Sequence, residues 1–155
     1  MTIQVYFDAA HLRNRGVAFG ARYGKAVLIF EGRCRWPTRI GPELSLGSRL
    51  RIARLDAFEY AMDHAELNVR QYHKSNPFID VIFYSHHGDL VDMLKGKKPT
   101  KDADIRMKVQ SLMLRFRQNA RWKLKHREQN GRTIEVNELA MRAADPYPFE
   151  SDDSD

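Results

Sequence analysis

The chain opens with Ile3, Val5 and Phe7 alternating with Gln4, Tyr6 and Asp8. That period of two puts alternate side chains on one face of a strand, here one that ends on an acidic residue. Gly16, Gly20 and Gly24 punctuate the next stretch, and AVLIF at 26–30 reads as a second strand. Residues 33–47 hold Pro37, Gly41, Pro42 and Gly47, which predicts turns or a short third, edge strand. Ser48 is an N-cap for a helix reaching about Leu67, with Ala57, Phe58, Ala61, Met62 and Ala65 as its apolar stripe. IDVIFY at 79–84 is a short continuous apolar run, the signature of a strand covered on both faces. A brief helix, LVDMLKG, follows and closes at Gly96.

A second long helix is predicted over 102–119, because Ile105, Val109, Leu112, Met113 and Phe116 fall on one helical face. In RWKLKH, Trp122, Leu124 and His126 alternate with Lys123 and Lys125, so a strand is expected at 121–126. IEVNELAMRAA, 134–144, gives a last helix before Asp145-Pro146. Strands interleaved with helices in this order imply an α/β fold with a mixed five-stranded sheet flanked by helices.

At 155 residues the chain is expected to form one domain, residues 1–145, large enough for a core without disulfide or metal staples. Residues 146–155, acidic and containing proline, have little to bury and are expected to be a disordered tail. The lone Cys34 excludes a disulfide framework and a multi-cysteine zinc site and fits a reducing compartment. No apolar run nears the ~20 residues that span a bilayer, and no basic segment precedes the first apolar stretch. A cytoplasmic protein with no membrane partner is expected.

Charge changes this picture locally. The net charge is +6, yet residues 95–127 alone hold twelve Lys/Arg and two Asp/Glu, while residues 128–155 hold two and eight. A block of that sign and density is the footprint of a phosphate-binding face, although charge runs are often no more than a solvated helix face. The candidate nucleic-acid contacts are Lys95, Lys97, Lys98, Lys101, Arg115, Arg117, Arg121, Lys123, Lys125 and Arg127. Trp122, Tyr72 and His73 can stack bases, but the alternation of Trp122 with Leu124 favours core packing. None of these groups reads base edges, so recognition would be of backbone and shape.

The order of elements and several local words together resemble a ribonuclease H-like domain of type 1, over about residues 2–144. VYFD resembles the first strand with its catalytic Asp, and ARLDAFEYAM the first helix. FYSHHGDLVDMLKG is similar to the family's strand-to-helix segment, KKPTKDADI to the lead-in of its long helix, WKLKH to its fifth strand with the following His, and NELA to its last helix. The basic handle insertion between the two helices is missing. The resemblance implies cleavage of the RNA strand of RNA–DNA hybrids by four carboxylates holding two divalent metals. Residue by residue, only Asp8 keeps its carboxylate. Arg54 stands at the helix Glu, His86 at the second Asp and, after a one-residue insertion, Asn137 at the last Asp; His126 keeps the loop His.

Two hard cations need several carboxylate oxygens, and an Arg in their pocket repels them. Arg54 also lies on the apolar stripe of its helix, where a cation requires a partner, and Asp8 is the expected one. Asp56, two residues on, lies about 200° round the helix and cannot substitute. His86, His87 and His126 invite a transition-metal reading. Adjacent histidines on an extended chain face opposite ways, however, so structural roles and no bound metal are expected. The expectation is a catalytically inactive, nucleic-acid-binding ribonuclease H-like protein without cofactor. Two alternatives stay open: the fold serving as an interaction module for a protein partner or a homodimer, or an active nuclease with a rebuilt Mg²⁺ or Mn²⁺ centre.

Overall fold

Strand pairing in the computed structural model gives a five-stranded sheet in the order β3-β2-β1-β4-β5. The structure describes residues 2–11, 15–23, 27–35, 46–72, 79–128 and 131–144. The strands are β1 (Thr2–His11), β2 (Arg15–Tyr23), β3 (Val27–Arg35), β4 (Asp80–Ser85) and β5 (Trp122–His126). The helices are α1 (Leu46–Tyr72), α2 (Gly88–Leu94), α3 (Ala103–Arg117) and α4 (Gly131–Ala144). β1 to β3 form an antiparallel meander, while β4 and β5 join β1 in parallel. The mixed sheet is as the alternation of elements implied.

The period of two in β1 has a direct structural consequence. Ile3, Val5, Phe7 and Ala9 are buried in one core with Val81 and Phe83 of β4 and Leu124 of β5. The apolar stripe of α1 closes on that layer: Ala53, Leu55, Ala57, Phe58, Ala61, Met62 and Ala65 are all at 0% exposure. α3 adds Ile105, Leu112, Met113 and Phe116. Trp122 packs on Phe83, with centroids 5.0 Å apart, and on Phe116, so it is core rather than a stacking platform. Tyr6 and Asp8 point to the opposite face, where α4 covers β1, β2 and β3.

Local chemistry fixes the ends of these elements. The Asp102 carboxylate accepts from the backbone N–H groups of Asp104 (2.9 Å) and Ile105 (3.1 Å), capping α3. α2 ends at Gly96 in the left-handed region, φ 76°, a conformation that glycine adopts without steric cost. α1 and α3 run side by side, tied by Lys108 to Asp56 and by Arg115 to Asp63 (2.7 Å) and Glu66 (3.3 Å). Among the described residues no helix is long and apolar enough to cross a membrane.

Three sequence expectations need correction. The glycine-punctuated stretch is itself a strand, β2, with Gly16 and Gly20 paired to Ala10 and Tyr6. The strand expected at 26–30 runs on to Arg35 as β3. Val17, Phe19, Ala21 and Tyr23 keep a period of two in register with Ala9, Phe7, Val5 and Ile3, and this alternation runs through Gly20. α1 starts at Leu46, before Ser48, and extends to Tyr72. Residues 36–45, His73 and the acidic tail lie outside the described residues.

Candidate functional site

Parallel pairing brings the carboxyl ends of β1, β4 and β5 to one end of the sheet, the position where loops of an α/β sheet collect functional groups. Asp8 stands there on β1 at 1% exposure. Its carboxylate takes three hydrogen bonds: Oδ1 accepts from the Ala9 N–H (2.7 Å) and from His87 Nε2 (2.9 Å), and Oδ2 accepts from Asn137 Nδ2 of α4 (3.0 Å). His86 Nδ1 lies 3.6 Å from Oδ2. Burial pushes the Asp8 carboxyl up, but the His87, Ala9 and Asn137 contacts outweigh it and hold the group below its ordinary value. It is a buried, ionised carboxylate.

The two histidines converge because β4 stops at Ser85. The extended alternation that would aim them apart is gone by His86, and His87 is the N-cap of α2. The buried Ser85 Oγ accepts from the His87 N–H (3.1 Å), which sets the turn. The rings lie against each other, tilted by 40°, with centroids 3.8 Å apart. The expectation that His86 and His87 face opposite ways is therefore wrong for this site. Burial, the neighbouring His87 and the Arg54 and His126 fields draw His86 below its ordinary value against the pull of Asp8, so it favours the neutral imidazole. His126 flanks the pair, its Nε2 donating to the His86 carbonyl (3.2 Å) and its ring lying against Gly88.

Arg54 is half-buried on α1, and its Nε is buried without a hydrogen-bond partner. Burial lowers its affinity for a proton, and the field of Asp8 is the largest influence opposing that. Arg54 thus acts on Asp8 through space, while His87 and Asn137 make the direct contacts that the sequence assigned to Arg54. The structure brings Asp8, Arg54, His86 and Asn137 into one electrostatic unit, with His126 at its rim. His87, which the sequence offered only as one of three histidines with an expected structural role, makes the shortest side-chain contact to Asp8; its signal is the HHG word joining β4 to α2.

A pair of hard divalent cations does not fit this donor set. Among the described residues the cluster offers one carboxylate, already taking three hydrogen bonds, and an arginine stands beside it. Two further acids are held by lysines: Asp56 pairs with Lys108, and the exposed Asp89, at the same end of the sheet, pairs with Lys98 (3.0 Å).

The ten basic residues do not make one face. Arg115 and Arg117 close α3 and Arg121 precedes β5, all at the sheet end opposite Asp8. There Arg115 pairs with Asp63 and Glu66 on α1, and Arg121 with Asp80 (3.2 Å). Lys98 lies at the Asp8 end, held to Asp89 at the start of α2, with the exposed Lys95, Lys97 and Lys101 in the same connection. Lys123 and Lys125 are exposed on β5. Arg127, beyond the end of β5, donates to the Tyr6 hydroxyl (2.9 Å) and sits 5.0 Å from the Tyr84 ring, itself stacked on Tyr6. A linear charge count could not see these pairings.

No protein-family model matches the sequence. No curated protein matches it either. Solved structures do match. Ribonuclease H1 from the halophilic archaeon Halobacterium salinarum NRC-1 superposes with a TM-score of 0.62 at 21% identity, covering 92% of this chain and 97% of that one. LC11-RNase H1, isolated from compost and solved in complex with an RNA/DNA hybrid, gives 0.67 at 16% identity over 92% of this chain and 99% of its own. The N-terminal RNase H domain of a Mycobacterium tuberculosis protein gives 0.63 at 14% identity, over 94% and 100%. With the strand order, the parallel β1-β4-β5 half and the placement of Asp8, these matches show that the chain has the ribonuclease H-like fold.

Proposed function

We propose that this protein binds nucleic acid through its ribonuclease H-like scaffold and does not hydrolyse it by the two-metal route. The observation that carries this reading is Arg54: a half-buried cation with an unpartnered Nε, set beside the single remaining carboxylate. Such a group disfavours paired dications and adds positive field at the sheet end that a phosphate would approach. Around the same sheet end stand Arg51, Lys95, Lys97, Lys98, Lys101, Lys125 and Arg127, and LC11-RNase H1, which shares the fold, is solved with a hybrid bound. Backbone contacts of this kind read shape, so RNA–DNA hybrid and duplex RNA are the expected ligands.

Fluorescence anisotropy on labelled hybrid, duplex RNA and duplex DNA tests this. Engaging about five phosphates gives a slope of log K against log salt near −4. Lys97→Glu combined with Lys98→Glu is expected to weaken binding at least tenfold, and Arg117→Glu with Arg121→Glu, at the far end, less than twofold. Absence of binding at low salt, or affinity indifferent to salt, would replace this reading by that of a protein-interaction module.

A further inference from the structure

The Asp8, His86 and His87 cluster can do more than satisfy a buried charge. We propose that these three residues form a mononuclear site for a borderline transition-metal dication of the zinc class. Their ligand atoms, one per residue, all lie within 4.8 Å of one another, and among the described residues this is the one such set of His, Cys, Asp and Glu. Bonds of roughly 2.0–2.1 Å to imidazole nitrogen and carboxylate oxygen place ligand atoms of a tetrahedral ion a little over 3 Å apart. In the structure His87 Nε2 lies 2.9 Å from Asp8 Oδ1 and His86 Nδ1 3.6 Å from Asp8 Oδ2, so each imidazole nitrogen already stands beside the carboxylate that an ion would share.

Neighbouring histidines can share one ion here because they present different nitrogens. His86 turns its near nitrogen, Nδ1, toward Asp8, and His87 reaches with its far one, Nε2. The ion takes the place of the proton between His87 and Asp8, and the displaced proton moves to His87 Nδ1, so the imidazole stays neutral. The surroundings already hold the ligands in position. Asn137 donates to Asp8 Oδ2, Ser85 fixes the His87 backbone, and His126 donates to the His86 carbonyl.

This site is different in kind from one for hard cations. Mg²⁺ demands oxygen ligands and several negative charges, whereas zinc is held by neutral imidazoles through donor strength, which Arg54 does not remove. Three protein ligands leave one position for an exogenous oxygen. The ion would clamp β1 to the turn between β4 and α2.

The full chain, stripped with a chelator, is titrated with Zn²⁺ by calorimetry and with Co²⁺ by visible absorption. One equivalent is expected to bind with micromolar or tighter Kd, with d–d bands of a low-coordinate Co²⁺ site and a thermal midpoint several degrees higher in Zn²⁺. Millimolar Mg²⁺ should not compete. His86→Gln and His87→Gln, both at part-exposed positions, should each weaken Zn²⁺ binding at least a hundredfold, and Asn137→Ala by about tenfold. Less than a fifth of an equivalent bound, or affinity unchanged in the double His86→Gln/His87→Gln chain, overturns the assignment. Both results are independent of whether nucleic acid binds.

Discussion

Phe58→Ala is expected to destabilise the fold by about 3–5 kcal/mol, lowering the thermal midpoint by roughly 6–20 °C. Phe58 is fully buried where α1 meets the sheet, and its ring touches three others: Phe7 (5.1 Å between centroids), Phe83 (5.5 Å) and Phe116 (5.8 Å). Truncation removes the ring that joins β1, β4 and α3, and the surrounding rings cannot collapse into the space without moving the helices. Met107→Ala, at 66% exposure on α3, should cost less than about 0.5 kcal/mol and serves as the control. Urea unfolding of both variants, followed by circular dichroism, checks the contrast. Equal midpoints would mean that the aromatic cluster does not organise the core.

Asp8→Ala is expected to cost about 3 kcal/mol, although it removes only a small polar side chain. It leaves the donors of His87 and Asn137 facing an apolar methyl group and takes from Arg54 the charge that offsets its burial. The pH dependence carries the same signature. The folded carboxyl titrates below the unfolded value of 3.8, so its stabilisation is complete above that value and is lost as the pH falls through the lower folded one. Between about pH 5 and pH 2 the unfolding free energy of the wild type should therefore fall more steeply than that of Asp8→Asn. A double-mutant cycle of Arg54→Met with Asp8→Asn should give a coupling of about 1–2 kcal/mol. Strict additivity would show that Arg54 and Asp8 do not sense each other.

Much of the architecture was legible because burial leaves a local period. The alternation in 3–7 and the helical stripes of α1 and α3 each report burial on one side of an element, whereas the run 79–84, expected to be covered on both faces, alternates buried with half-buried positions in β4. β2 was hidden because its glycines read as punctuation, while its register comes from the partner strand β1, which lies outside any local window. The paired histidines were misjudged for a related reason. Their directions follow from the turn between β4 and α2, where the extended alternation stops and the two rings come against each other. The basic segment failed as a single face because its cations meet acids far away in sequence, Arg115 at Asp63 and Glu66 and Arg121 at Asp80. Local chemistry was readable; long-range pairing was not.

The groups at the sheet's carboxyl end act together. Arg54, Asn137 and two imidazoles surround a lone carboxylate, a set with little affinity for hard cations in which His87 and Asn137 keep Asp8 ionised and hydrogen-bonded. The most direct measurement is incubation of end-labelled RNA–DNA hybrid with stoichiometric protein in Mg²⁺, Mn²⁺ or Zn²⁺, resolved on a denaturing gel beside a binding titration, with Asp8→Asn as the control for contaminating nuclease. Hybrid that is bound in a salt-dependent way and stays intact in every metal is the predicted result. Cleavage by the wild type that Asp8→Asn abolishes would contradict it and make this centre a working nuclease.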